Sequence, residues 1–211
     1  MIGVLEICVF LFVVLHILRI YFSDCDAVLH FYERFAKPPD KRLRGRVIWI
    51  TGASSGIREH LAYKLTEFGC KLVLSARRKD ELDRVKNQCL SKFFFVFLLH
   101  RLVVPLDITN FASHEDCVTR ALQQFGKIDF LVNNAGILQM GSSVNSDLDV
   151  DITVLNTNVQ GTISLTKAVL PHMIGEGNGQ IVVISSAFAK CAAGPNTAVY
   201  AASKHALQVI D

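Results

Sequence analysis

Near its C-terminal end the chain reads Tyr200-Ala201-Ala202-Ser203-Lys204. If that stretch is helical, the i, i+4 spacing puts Tyr200 and Lys204 on one face. A cation beside a phenol favours the phenolate, which suits Tyr200 to acid/base work near neutral pH. Taken alone, Tyr-x-x-x-Lys also arises by chance as an ordinary helix face. A second chemical feature is the run Thr51-Gly52-Ala53-Ser54-Ser55-Gly56-Ile57-Arg58. Small residues let the backbone turn tightly, so that amides and a helix N-terminus can face an anion such as a pyrophosphate. Further on, Ala76-Arg77-Arg78 sets two guanidinium groups where an adenosine ribose would lie. An acidic residue there favours a free 2′-hydroxyl, whereas Arg suits a 2′-phosphate. A solvated basic corner is the plain alternative. Asn133-Asn134-Ala135-Gly136 supplies one more turn of small and polar residues.

Those residues need a scaffold, and from Arg46 onward the sequence alternates between apolar runs and amphipathic stretches. Strands are predicted at 46–51 (RVIWIT), 71–76 (KLVLSA), 102–107 (LVVPLD), 128–136 with its turn (IDFLVNNAG) and 180–186 (QIVVISS). Helices are predicted at 55–68, 79–92, 112–125, about 150–174, and again from about Thr197. Short apolar strands separated by helices of about a dozen residues indicate βαβ units and a parallel sheet. Such sheets take ligands at the carboxyl ends of their strands, near the switch point beside the first strand. The predicted class is therefore α/β, a Rossmann-type doubly wound parallel sheet with helices on both faces. The glycine run falls between the first strand and the first helix, where a nucleotide turn belongs.

The chain has 211 residues, 51% of them hydrophobic, with 22 Lys+Arg against 19 Asp+Glu. This composition excludes a disordered chain, a collagen-like repeat and a disulfide-stapled miniprotein. A formal charge of +3 is too small a surplus to indicate nucleic acid. Six cysteines, at 8, 25, 70, 89, 117 and 191, show no metal-ligand or disulfide spacing and read as buried thiols. A mean hydropathy of +0.35 requires an unusually apolar segment. That segment is at the front: residues 2–22 (IGVLEICVFLFVVLHILRIYF) are apolar all round, with Glu6, His16 and Arg19 among the few ionisable groups. The run is long enough to cross a bilayer if Arg19 snorkels and Tyr21 lies at the interface. A buried core helix is the alternative. Arg34, Lys37, Lys41, Arg42, Arg44 and Arg46 follow it, so the positive-inside rule puts the rest of the chain on the cytosolic side. The expected organisation is a transmembrane signal-anchor at 1–22, a juxtamembrane linker at 23–45 around Pro38-Pro39, and the α/β domain at 46–211.

The ordered set TGASSGI, SARR, LDIT, NNAG, N-x-x-G, ISS and YAASK resembles the short-chain dehydrogenase/reductase family, over residues 46–208. Within it the chain is most similar to the membrane-anchored dehydrogenase/reductase member 7 group, in LVLSARRKDELDRVKNQCL (72–90), LTKAVLPHMI (165–174) and YAASKHAL (200–207). The resemblance implies a nicotinamide dinucleotide, NADP rather than NAD because of Arg77 and Arg78. It implies a carbonyl or secondary alcohol on a small lipophilic molecule such as a steroid or retinoid, an endoplasmic reticulum membrane, and a homodimer as one assembly. Tyr200 would pass the proton to or from the substrate oxygen. Lys204 would favour the Tyr200 phenolate and hold the nicotinamide ribose. Ser186, with Ser185 as the neighbouring alternative, would hydrogen-bond the substrate oxygen, and Asn158 would hold a water relaying protons to Lys204. Thr51, Gly52, Ser54, Ser55, Gly56 and Ile57 would form the pyrophosphate turn, with Arg77 and Arg78 at the 2′-phosphate. Asp107 and Ile108 would flank the adenine, and Asn134, Ala135 and Gly136 would line the cleft. No metal is implied.

Three departures stand beside these matches. The family's glycine pattern ends in Gly, where this chain has Arg58. Residues 93–99 (FFFVFLL) replace a polar loop before the third strand; the run is aggregation-prone and reads as an overlong buried strand or as translated non-coding sequence. The chain ends at Asp211, eleven residues after Tyr200, while family members continue with two further strands and most of the substrate pocket. A second function class therefore stands beside the oxidoreductase: a membrane-anchored, catalytically dead relative that binds nucleotide or associates with other members.

Overall fold

The computed structural model describes residues 3, 9–15, 42–92, 100–142, 144–190 and 196–208. Two compact units divide the chain, Met1–Arg42 and Leu43–Asp211. In the first unit, residues 9–15 are helical, and Val9, Phe10, Leu11, Phe12 and Leu15 are exposed. Most of the predicted anchor at 1–22, the linker up to residue 41 and the 93–99 run lie outside the described residues. Among the described residues, no helix is long and apolar enough to cross a membrane.

The second unit is built on a five-stranded sheet in the order β3-β2-β1-β4-β5, with every neighbouring pair parallel. The strands are β1 (Val47–Thr51), β2 (Lys71–Ser75), β3 (Arg101–Val103), β4 (Phe130–Asn133) and β5 (Gln180–Val183). Five helices connect or follow them: α1 (Ile57–Glu67), α2 (Lys79–Lys92), α3 (His114–Phe125), α4 (Leu148–Leu155) and α5 (Gly161–Gly175), with α6 (Ala198–Ala206) closing the described chain. A π-helical turn, Asn156–Gln160, joins α4 to α5. The long helix expected at about 150–174 therefore holds together but changes its winding in the middle.

Because both sheet faces are covered, the central strands are buried throughout rather than on alternate residues. Val47, Trp49, Val73 and Leu131 pack with Cys117, Val118 and Ala121 of α3 and Leu165 and Val169 of α5. Ile48, Ile50, Leu72 and Leu74 pack on the opposite face with Ala62 and Leu65 of α1 and Leu82 and Val85 of α2. Cys70, Cys89 and Cys117 are buried, as their types suggest; the other three cysteines lie outside the described residues. The third strand is shorter than the predicted 102–107 and ends at Val103. Pro105 has no N–H to give the ladder, yet Val104 N and Leu106 N still donate to Leu74 O and Ala76 O. The fifth strand likewise stops at Val183, with Ile184 N donating to Asn133 O beyond it. The sequence order reverses between β1 and β4, which is the switch point where such sheets take ligands.

Candidate functional site

A cleft of about 550 Å³ opens beyond the carboxyl ends of β1, β2 and β4. Its walls include Thr51, Gly52, Ser54 and Ser55 from the first turn, Arg77 and Arg78 after β2, Asp107 and Ile108 after β3, and Ala135 and Gly136 after β4. Ten of the expected cofactor residues thus come together there. Gly56 and Ile57 lie at the start of α1, where Gly56 has φ +66° and Ile57 is 82% exposed. Ser75, Leu106, Thr109, Thr153 and Thr157 also line the cleft; none of them stands out by residue type or spacing in the sequence.

The turn is held from both sides. The Thr51 hydroxyl donates to Val132 O at 3.2 Å and accepts the N–H groups of Asn134 and Ala135 at 2.9 and 3.0 Å. It therefore locks the end of β1 to the Asn-Asn-Ala-Gly turn, and its role is internal. Asn134 is buried behind the same wall. From the other side, Arg84 on α2 donates to Ser54 O at 3.4 Å and clasps Glu59 of α1 at 2.7 and 3.0 Å. The hydrogen bonds from Arg84, and next from Tyr63, hold the Glu59 carboxyl down at about 2. Asp107 accepts both the N–H and the hydroxyl of Thr109, at 3.0 and 2.7 Å. Those bonds keep its carboxyl below the usual range.

Of the proton-transfer candidates, Ser186, Tyr200 and Lys204 follow β5 and Asn158 lies in the π turn before it; Asn158 and Lys204 come close to the cleft at Gly136. A Cβ on Gly136 would stand 3.1 Å from Asn158 Oδ1, tighter than usual, and 3.7 Å from Lys204 Nζ, an ordinary contact, so any other residue would press on the Asn158 amide. Lys204 is 6% exposed and donates to Ile184 O at 2.9 Å. Its Nζ lies 5.9 Å from the centre of the Tyr200 ring, as the i, i+4 spacing requires. Burial, and then the positive charge of Arg58, bring the Lys204 ammonium below its usual pKa. Asn158 is fully buried within the π turn. Its side chain accepts Ile137 N at 2.8 Å and donates to Ile137 O and Ser203 Oγ at 3.0 and 2.9 Å. Both amide N–H donors are thus committed, while Oδ1 and the main-chain carbonyl, which takes the Thr162 hydroxyl at 2.9 Å, each keep a second lone pair that a water could use. Ser203 in turn donates to Tyr200 O at 2.6 Å, tying the π turn to α6. This linking role was hidden inside the YAASK motif.

Ser186 and Ser185 are directed differently. Ser186 Oγ accepts Phe188 N at 3.3 Å and caps a short 3₁₀ turn, Ala187–Ala189. Phe188 meets the Tyr200 ring edge-on, with centroids 6.1 Å apart. Ser185 Oγ is taken up by Gln208 at 2.7 Å. Arg58 also bears on the site: it lines the cleft and its Nη1 donates back to Gly52 O at 3.3 Å.

A doubly wound parallel sheet with a small-residue turn after its first strand, and a Tyr–Lys helix face beyond its fifth, defines a Rossmann-type α/β protein. Residues 46–210 match the short chain dehydrogenase family, and the chain belongs to it. It is 43% identical over 210 residues to dehydrogenase/reductase SDR family member 7 of Mus musculus, and 43% identical to that of Homo sapiens. Each of these alignments covers 99% of this chain and 61% of the relative, so the chain spans about three-fifths of their length. Among solved structures, a gluconate 5-dehydrogenase from Burkholderia cenocepacia in complex with NADP is 29% identical, with a TM-score of 0.73 over 80% of this chain and 64% of that one. A short chain dehydrogenase/reductase from Burkholderia phymatum in complex with NAD is 30% identical, with a TM-score of 0.73 over 79% and 57%.

Proposed function

We propose that this chain carries the cofactor cleft and proton-transfer residues of an NADP-dependent oxidoreductase that interconverts a carbonyl and a secondary alcohol on a lipophilic substrate. The observation that carries this reading is the buried Lys204 beside Tyr200, reached from the glycine-turn cleft through Gly136. The lining supports a dinucleotide most directly at its adenosine end. Two exposed guanidinium groups at Arg77 and Arg78 suit a 2′-phosphate better than a free hydroxyl. When bound, the dinucleotide supplies or accepts the hydride at its nicotinamide.

Tyr200 gives its proton to the substrate oxygen in reduction and takes it back in oxidation. Lys204 stabilises the phenolate formed when Tyr200 donates, and Ile184 O holds its ammonium in place. Ser186 donates to the substrate oxygen and offsets its developing charge. Protons return to Tyr200 through Lys204 and a water on the Asn158 carbonyl. A membrane anchor at residues 1–22, in the endoplasmic reticulum with the α/β domain facing the cytosol, would place the site beside lipid-dissolved substrates. Exposed Leu148, Ile152 and Leu155 on α4 give a second copy an apolar face to pack against.

Arg58 inside the cleft favours a second reading, in which the chain is a catalytically dead relative that binds nucleotide alone. NADPH oxidation by the chain with a panel of hydrophobic ketones separates the two. Turnover that falls by about 100-fold or more in Tyr200→Phe supports the oxidoreductase, since general acid–base groups contribute about that factor or more. Nucleotide binding with no turnover, or turnover that Tyr200→Phe leaves intact, sinks it.

A further inference from the structure

Arg58 lines the cleft and has no role in the mechanism above. This residue is the second of α1, and its side chain runs back over the turn that precedes the helix instead of out into water. Its Nη1 donates to Gly52 O at 3.3 Å. A Cβ placed on Gly52 would stand 2.9 Å from that Nη1, 3.3 Å from Arg58 Cδ and 3.2 Å from Ala135 Cα. The guanidinium thus lies on the bare face of Gly52, in the gap between the first turn and the turn after β4. Gly136 lines the same gap, and Asn158 and Lys204 stand directly behind it. Burial lowers the Arg58 pKa, an effect that the Tyr200 phenolate would oppose. The charge of Arg58 in turn acts on Lys204. Arg58 therefore reaches towards the proton-transfer pair from the glycine side.

We propose that Arg58 gates the cleft: its guanidinium fills the passage between the glycine turn and the Tyr200–Lys204 pair. A ligand that ends at adenosine 2′,5′-bisphosphate binds without moving it, whereas one that continues to a nicotinamide must first displace it. The inference rests on the assignment of the cleft to NADP made above. Adenosine, its 2′-phosphate and its 5′-phosphate need only the walls from Arg77 and Arg78 to the start of α1. The diphosphate and second ribose need the space over Gly52 and Ala135 where the guanidinium now lies. Once displaced, Arg58 can recover a charge-assisted contact to phosphate, which sets the gain against the obstruction. Against that gain stand the lost bond to Gly52 O, the ordering of a long side chain elsewhere and the space over Gly52 that the guanidinium takes; the gate requires that these costs outweigh it.

The test is a calorimetric titration of the full chain, Arg58→Ala and Arg58→Gly with adenosine 2′,5′-bisphosphate and with NADPH. The wild-type chain should bind NADPH no more tightly than the bisphosphate. Both variants should tighten NADPH by about five-fold or more, and leave the bisphosphate within about two-fold. Unchanged or weaker NADPH binding by variants that still bind the bisphosphate overturns the gate and leaves the cleft assignment standing. NADPH binding to wild type about ten-fold tighter than the bisphosphate overturns it without any variant. If none of the three proteins binds the bisphosphate, the cleft assignment falls and the gate with it. Loss of the bisphosphate by one variant alone marks misfolding, and the other substitution then decides.

Discussion

The Thr51 hydroxyl makes three hydrogen bonds inside the fold, so a residue read as part of the pyrophosphate turn serves to join that turn to the one after β4. Asn158 is similar, with its amide spent on Ile137 and Ser203. Residue types and motif spacing made both positions legible, but hydrogen-bond partners from other segments decide what each side chain does. Arg77 and Arg78 are the opposite case, exposed on the cleft rim with their charges available. Replacing both with Ala should weaken NADPH selectively over NADH. One charge-assisted contact is worth about 1.5–3 kcal/mol, or roughly ten- to a hundred-fold in affinity. Paired calorimetric titrations measure the ratio, and an unchanged preference would mean that neither arginine reads the 2′-phosphate.

At the scale of elements, the cleft depends on helices approaching loops closely. Gly161 begins α5 with an ordinary helical φ of −60°, so its value is space and not backbone freedom. A Cβ there would lie 2.7 Å from Ile108 Cγ1 and 2.8 Å from Ile108 O. Gly161→Ala must push the Ile108 loop away, and overpacking of this kind costs about 1–3 kcal/mol. Denaturant unfolding should show that loss, and an unchanged midpoint would mean the loop yields freely. The α1–α2 pair is tied instead by charge, through Arg84 and Glu59. Because the folded Glu59 carboxyl sits at about 2 against an ordinary 4.5, its contribution is complete above pH 4.5. It is lost as the pH falls from there towards 2. Glu59→Gln should flatten the Tm-against-pH curve across that window, whereas a curve as steep as wild type would assign the acid sensitivity to other carboxyls. Helix and strand positions were readable from apolar periodicity. The π turn was not, since Asn156–Gln160 carries no local pattern distinguishing it from the helix on either side.

For the whole molecule, the sequence divides into an apolar front and an α/β body, and the two compact units part at Arg42 and Leu43. An anchored chain should stay with membranes after carbonate washing, with residues beyond about 45 open to protease from the cytosolic face. Release by carbonate would remove the spanning reading, and protection from protease would reverse the orientation.

The sequence alone determined the parallel α/β class, because strands buried on both faces must be apolar throughout and their helices must be amphipathic. It also determined which residue types stand at the strand ends, since a turn that approaches phosphate needs small residues and a Tyr–Lys face needs a four-residue spacing. Only the tertiary structure decided which of them meet. Gly136 is separated from Lys204 by most of the second half of the chain, yet a Cβ on it would press on Asn158 and touch Lys204. Likewise, the sequence marks Arg58 as a departure from a glycine pattern, but a long flexible side chain can point either way from a helix's first turn. Its place over Gly52 follows from the gap between two turns that β1 and β4 bring together.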